Sequence, residues 1–239
     1  MKKRLDVLLV ERGLVDTRNK AAALIMAGEV IVDEQAWTKP GHQFADDAVI
    51  RLKNQMQYVS RAGDKLASVI EPLQLDFTNK VVLDVGSSTG GFTDCALQQG
   101  ATKVIGVDVG TNQLAYKLRV DERVELHEQT DIRDFESEEK ADMAVIDVSF
   151  ISLIKILEHV AALIKDDGQI IAMVKPQFEA GKALADAHKG LIVDEEVRLK
   201  VLADFRAWAE EHFSIQAEAD SEVHGRHGNR ERFFLLKLK

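Results

Sequence analysis

Apolar positions follow two rhythms along this chain of 239 residues. In the first sixty positions the periods are short. Leu5, Leu8 and Leu9 fall at helical spacing, and Gly13 ends that stretch. Asp16 and Thr17 offer caps for a second helix, predicted from Arg18 to Ala27 and closed by Gly28. Glu29-Val-Ile-Val-Asp33 and Ala48-Val-Ile-Arg-Leu-Lys53 read as strands, with a turn at Lys39-Pro-Gly-His42 between them. Two short helices and a hairpin-like sheet make a small α+β module.

From Lys80 the rhythm becomes an alternation of strand and helix. Strands are predicted at Lys80–Val85, Lys103–Asp108, Val124–His127, Ala141–Asp147 and Gln169–Val174. Helices are predicted around Phe92–Gln99, Leu153–Leu163 and Glu195–His212. Ser214–Glu218 and Phe233–Lys237 close the chain as neighbouring strands, an antiparallel addition at the sheet edge. Such alternation implies an α/β fold, Rossmann-like, with a mainly parallel seven-stranded sheet and helices on both faces. Asn54–Arg61 is polar and aperiodic, and Ala62–Leu73 is a short helix ending near Pro72. The predicted organisation is a small domain at 1–59, a linker at 60–63 and the α/β domain at 64–239.

The chain is 46% hydrophobic and 30% charged, enough for packed cores. Its N-terminus starts basic, but Asp6, Glu11 and Arg12 interrupt the apolar stretch, which argues against a signal peptide. No apolar run approaches the roughly 20 residues of a membrane span. The single Cys95 excludes an internal disulfide framework and a CxxC metal site, so no metal is expected. These features predict a soluble cytoplasmic protein with no membrane association and no evident obligate protein partner. Net charge is −9, yet residues 1–63 hold ten Lys/Arg against eight Asp/Glu, and the remainder 21 against 32. Attraction to phosphate would therefore concentrate in the first domain and around the cleft.

After the first strand of the α/β part comes Asp84-Val-Gly-Ser-Ser-Thr-Gly-Gly-Phe92. A glycine-rich turn there lets backbone approach a ligand closely. No lysine follows, so the run is not a triphosphate loop. Asp108 ends the second strand, where a carboxylate can accept from both ribose hydroxyls of an adenosine, a feature shared by NAD and S-adenosyl-L-methionine sites. Asp84, two residues before Gly86, matches the D/E-x-G-x-x-x-G pattern of class I methyltransferases, and Asp131 follows the third strand, where such enzymes bind the adenine amino group. The expected cofactor is S-adenosyl-L-methionine, held by Asp84, Gly86, Ser87, Ser88, Thr89, Gly90, Gly91, Asp108 and Asp131. A packing turn for the glycines and a capping role for Asp131 are the structural alternatives.

Four polar residues far apart in sequence, Lys65, Asp147, Lys175 and Glu231, sit where the α/β fold would deliver them to one cleft. Asp147-Val-Ser-Phe150 stands where enzymes that methylate base amino groups carry [DNS]-P-P-[YF], and Cys95 lies in a helix behind the glycine loop rather than in the cleft. A hydroxyl is a poor nucleophile until deprotonated, and a lysine can take its proton once desolvation or a second cation favours the neutral amine. Lys175, ending the fifth strand, is the candidate base. Lys65 is the neighbouring cation, and Asp147 and Glu231 orient the two lysines.

Two resemblances follow. Arg4-Leu-Asp-x-Leu-Leu, Gly13-Leu, Thr17-Arg-x-x-Ala, Ile25-x-x-Gly28-x-Val-x-Val and Lys39-Pro resemble the S4 RNA-binding domain, which implies RNA contact by Arg4, Arg18 and Lys20. Charge alone would favour a merely solvated face, and the full pattern over some fifty residues reverses that. Ser60-Arg-Ala-Gly-x-Lys65-Leu, Asp84-Val-Gly-x-Ser-Thr-Gly-Gly-Phe-Thr93, Asp147-Val-Ser-Phe-Ile-Ser152, Lys175-Pro-Gln-Phe-Glu179 and Gly228-Asn-x-Glu231 resemble the FtsJ-like ribose 2′-O-methyltransferases with their Lys-Asp-Lys-Glu tetrad. The whole chain resembles the TlyA, or haemolysin A, family. That resemblance implies a class I methyltransferase domain and catalytic roles for Lys65, Asp147, Lys175 and Glu231. It further implies 2′-O-methylation of ribosomal RNA, cytidine the expected nucleoside, with rRNA or ribosomal subunits as partner. Arg232 stands where an aromatic is common after the motif glutamate. Arg61, and Lys182 and Lys189 in the loop from Glu179 to Gly190, are further candidate RNA contacts. That loop and Gly225–Asn229 are each either an RNA-facing lid or an ordinary surface loop. A non-catalytic ribosome-assembly protein and a haemolysin are the competing readings.

Overall fold

The computed structural model describes residues 2–33, 35–53, 57–181, 191–192, 194–223 and 229–239. The chain divides into two compact units, Met1–Met56 and Gln57–Lys239.

In the smaller unit, β1 (Lys2–Arg4) leads directly into α1 (Leu5–Glu11), followed by α2 (Arg18–Met26), β2 (Val30–Val32), β3 (Gln35–Trp37), β4 (Gln43–Ala45) and β5 (Ile50–Leu52). Thr17 caps α2 by accepting from Lys20 N at 3.2 Å. β2 pairs antiparallel with both β3 and β5, and β1 with β4. Leu5, Leu9, Ala21, Ile25, Val30 and Val32 form the core, joining the apolar stripes of both helices to β2. All five strands have only three residues each, and β1, β3 and β4 give no periodic signal.

The larger unit opens with α3 (Arg61–Ala67), β6 (Val81–Val85), α4 (Gly91–Gln98), β7 (Lys103–Val107), α5 (Tyr116–Arg119), β8 (Val124–His127) and β9 (Ala141–Ile146). A 3-10 turn (Leu153–Lys155), α6 (Leu157–Ala162), β10 (Ile164–Val174), α7 (Pro176–Glu179), α8 (Glu195–His212), β11 (Phe213–Asp220) and β12 (Arg232–Leu238) complete it. The strand order is β11-β12-β10-β9-β6-β7-β8. β12 runs antiparallel to both its neighbours, and the pairings from β10 through β8 are parallel. Successive strand residues point to opposite faces. Leu83, Ile105 and Ala144 pack with α6 and α8, while Val82, Val104 and Met143 pack with α3 and α4.

One boundary differs from the sequence reading. Residues 57–63, expected to end the small domain and link it onward, belong to the larger unit. Tyr58 is 3% exposed in its core, Val59 N donates to Asp94 Oδ2 at 2.8 Å, and Ser60 is the N-cap of α3. The small residues that read as a linker serve close packing. A Cβ on Gly91 would come within 2.7 Å of both Ala62 Cβ and Gly63 N, so α3 lies tight against the start of α4.

Candidate active site

The sheet explains how residues remote in sequence meet. In a parallel sheet every strand presents its carboxyl end at the same edge, and ligands bind in the crevice there. Asp108, Asp147 and Lys175 directly follow β7, β9 and β10. Glu231 precedes β12, and because β12 is antiparallel its start lies at that same edge, with Arg232 opposite Val174. β9 pairs Ile146 with Val85 on β6 and with Ala172 on β10, which sets Asp147 between the glycine loop and Lys175.

The four side chains form two ion pairs. Lys65 Nζ donates to Glu231 Oε1 at 2.9 Å, and the two side chains are 12% and 3% exposed. Lys175 Nζ stands 2.5 Å from Asp147 Oδ1, with side-chain exposures of 11% and 17%, and donates to Ser149 Oγ at 3.0 Å. Lys65 comes from α3, which the packing at Gly91 locks onto α4. Among the described residues, Glu231 Oε2 is buried and accepts no hydrogen bond.

The segments after β9 and β10 fasten to each other. Glu179 at the end of α7 accepts from Ser152 Oγ at 2.5 Å and from Leu153 N at 2.8 Å, and burial pushes its carboxyl up. The ring of Phe150 lies 5.2 Å from that of Phe178. Phe150 is 92% exposed and has φ +66°, a left-handed backbone that bulky residues avoid. The ring therefore stands bare at the mouth of the cleft on a backbone conformation that costs energy to hold. The sequence places Ser149 and Phe150 in the motif after β9 but gives neither a role, since backbone conformation leaves no mark in an apolar pattern.

A cavity of about 290 Å³ opens beside Asp147, lined by Gly86, Ser88, Asp108 and Asp131 and extending to Ser149 and Phe150. That is near the lower end of small-molecule sites, about 300–1,000 Å³. Gly86 has φ +83°, and a Cβ there would meet the Asp147 carbonyl at 2.7 Å, so only glycine lets the loop lie against the β9 end. Asp108 Oδ2 accepts from Ser88 N at 2.8 Å and Oδ1 from Gly110 N at 2.6 Å, which fixes the carboxylate at the cavity wall. Asp131 is held at about 2 by Arg133, whose guanidinium grips it at 2.6 and 2.9 Å; Arg133 N adds an Asx-type bond at 3.0 Å. The donor set fits S-adenosyl-L-methionine: a carboxylate for the ribose diol, an ionised acceptor for the adenine amino group and a close-approach loop.

The other loop residues expected at the cofactor stand back from this cavity. Ser87, Thr89, Gly90 and Gly91 are not in its lining. Asp84 is fully buried behind the loop, where Thr93 Oγ1 donates to its Oδ2 at 2.6 Å, and burial raises its pKa to about 7. Its placement braces the first turn of α4 against β6.

Among the expected RNA contacts, Arg4 and Arg18 converge on Asp6. Arg4 Nε and Nη2 lie 2.9 Å from its two oxygens, and Arg18 Nη2 lies 3.0 Å from Oδ2. The aspartate side chain is 6% exposed, against 48% and 59% for the arginines. Lys20 is exposed and pairs with Asp16 at 3.2 Å. Arg61 is the exposed first residue of α3. Lys182 and Lys189, with nearly all of the two loops considered as lids, lie outside the described residues. No helix among the described residues is long and apolar enough to cross a membrane.

The family model for FtsJ-like methyltransferases matches residues 58–238, and that for the S4 domain matches residues 3–50. YqxC of Bacillus subtilis (strain 168), provisionally named an rRNA methyltransferase, is 45% identical over 99% of this chain and 85% of its own. The 16S/23S rRNA (cytidine-2'-O)-methyltransferase TlyA of Mycobacterium tuberculosis is 36% identical over 99% of this chain and 90% of its own. A solved hemolysin-named protein from Streptococcus thermophilus superposes with a TM-score of 0.75 at 41% identity, covering all of this chain and 89% of that one.

Proposed function

The chain belongs to the FtsJ-like methyltransferases, and from that premise we propose that it methylates ribose 2′-hydroxyls of ribosomal RNA, cytidine being the target nucleoside. The observation that carries the reading is the pairing of Lys65 with Glu231 and of Lys175 with Asp147 at adjoining strand ends, beside a cavity suited to the cofactor. S-adenosyl-L-methionine is the cofactor of this domain and supplies an electrophilic sulfonium methyl when bound. Gly86, Ser88, Asp108 and Asp131 are the residues that would hold it.

Lys175 acts as a neutral amine: its ammonium first gives up a proton to solvent, and the freed lone pair then takes the proton from the 2′-hydroxyl as the oxygen is methylated. Asp147 and Ser149 keep its amine at the end of β10 and stabilise the ammonium that results. The Lys65–Glu231 pair, at the start of the strand next to the one that leads into Lys175, supplies a second cation and orients the ribose. Phe150 presents a bare ring on which the target base can stack. Most of the rate gain then comes from holding hydroxyl and methyl in line, which is worth several kcal/mol in well-oriented systems. In the small unit, Arg4 and Arg18 grip backbone phosphate and Lys20 adds to the attraction; Arg61, in the larger unit, is a further phosphate contact.

The test is transfer from labelled S-adenosyl-L-methionine to unmodified ribosomal subunits, read by nucleoside mass spectrometry, with Lys175→Ala as control. A 2′-O-methylated cytidine made by the wild type and lost in the variant is the expected result. Label on a base would overturn the assignment of the four residues. No label on any subunit, with cofactor binding intact, would favour a non-catalytic RNA-binding role.

A further inference from the structure

Arg198, in the first turn of α8, is 1% exposed. A buried guanidinium carries a desolvation penalty of several kcal/mol, so its partners need a reason. Its Nε donates to the Arg230 carbonyl at 3.0 Å, its Nη1 to Glu195 Oε1 at 2.8 Å, and its Nη2 to Asp220 Oδ1. Asp220 also accepts from Arg232 Nε at 2.6 Å and Nη2 at 3.1 Å, and Arg230 Nη2 lies 3.2 Å from its Oδ2.

These contacts converge on the chain either side of Glu231. The ladder between β10 and β12 ends at Arg232, so Glu231 stands one residue beyond it. A residue past a ladder lacks the regular bonds that would hold its backbone. Here substitutes exist at each position. The Glu231 carbonyl accepts from Ser221 N at 3.0 Å, the carbonyl before it from Arg198, and the side chain after it is held by Asp220. Two residues earlier, Asn229 Oδ1 accepts from Ile192 N at 3.0 Å.

We infer that Arg198 and Asp220 are positioning residues, which together fix the backbone of residues 230–232 so that Glu231 meets Lys65. The inference rests on the reaction proposed above and extends it to a tier of side chains that never reach the cleft. It also accounts for Arg232, the departure from the family's aromatic at that place: it is the cross-strand partner of Asp220. The bland alternative is that the network only staples α8 to β11 and β12.

A double-mutant cycle separates the two. Single-turnover methyl transfer at saturating cofactor and rRNA would be measured for Arg198→Lys and Asp220→Asn, each alone and each combined with Glu231→Gln. Each single variant should slow the step on the order of 10- to 100-fold, because a misplacement of about 1 Å at a reacting centre costs about two orders of magnitude. Affinities for RNA and cofactor should stay at the wild-type level. In the Glu231→Gln background the same substitutions should cost little more. Losses that multiply equally in both backgrounds, or single variants with wild-type rates, would overturn the inference. If Arg198→Lys does not fold, the isosteric Asp220→Asn decides alone. A wild-type protein without transferase activity would sink the reaction and this assignment together, whereas an active wild type with multiplying losses would sink this assignment only.

Discussion

Lys65 Nζ lies 2.9 Å from Glu231 Oε1 across 166 positions of sequence, and the contact joins α3 to the start of β12. Both side chains are nearly out of water, so neither charge is stable without the other. Glu231→Ala should cost about 3–5 kcal/mol of folding free energy by leaving a buried ammonium uncompensated. Glu231→Gln should cost less, because its amide oxygen still accepts from Lys65. Urea unfolding at constant m checks this. A Glu231→Ala protein as stable as the wild type would show that Lys65 reaches solvent or another partner.

Phe150 should separate stability from substrate handling. Asparagine tolerates the left-handed backbone that phenylalanine resists by roughly 1–2 kcal/mol, and this offsets the lost contact with Phe178, about 0.5–1.5 kcal/mol. Phe150→Asn should therefore unfold within about 1 kcal/mol of wild type. Loss of the stacking surface should still raise the KM for RNA by about 1–3 kcal/mol equivalent. An unchanged KM, with rRNA as substrate, would remove Phe150 from the proposed site.

The sheet was legible in the chain because strands of alternating or wholly apolar residues declare themselves, and parallel order then places Asp108, Asp147 and Lys175 at one edge without further information. Glu231 could be placed only through the closing antiparallel pair, which turns the start of β12 to that edge. What stayed hidden depends on packing. Ser60-Arg-Ala-Gly63 reads as linker by composition, yet its small residues are there to let α3 touch α4. Arg198 sits in a helix of mixed charge, where an arginine ordinarily faces water, and nothing in its neighbours announces burial. The left-handed backbone at Phe150 is equally silent.

Asp84 predicts a pH dependence of stability. Its folded pKa is raised to about 7 from an ordinary 3.8, burial being the main cause. Between those values the native state holds a proton that the unfolded chain has released, so stability falls as pH rises from about 4 to about 7 and is flat above. Asp84→Asn keeps an acceptor for Thr93 and should flatten that slope, leaving the variant at its greatest relative advantage above pH 7. Urea midpoints at pH 5, 6, 7 and 8 would show it. Parallel curves for the two proteins would mean that another group carries the dependence.

Asp6 offers a test in which net charge and geometry give opposite answers. Its carboxylate is held at about 2, chiefly by the hydrogen bond from Arg4, and it sets Arg4 and Arg18 side by side with their outer faces in water. Attraction to phosphate by charge alone would improve on removing this negative group. A preorganised pair, by contrast, loses the anchor that spares two long side chains the entropy of being ordered on binding. Asp6→Asn should therefore weaken rRNA binding although it makes the small unit more positive, and the slope of affinity against salt should change little because the same phosphates are met. Titration of rRNA at several salt concentrations checks both parts. Tighter binding by the asparagine variant would show that Asp6 merely dilutes the positive charge of this surface.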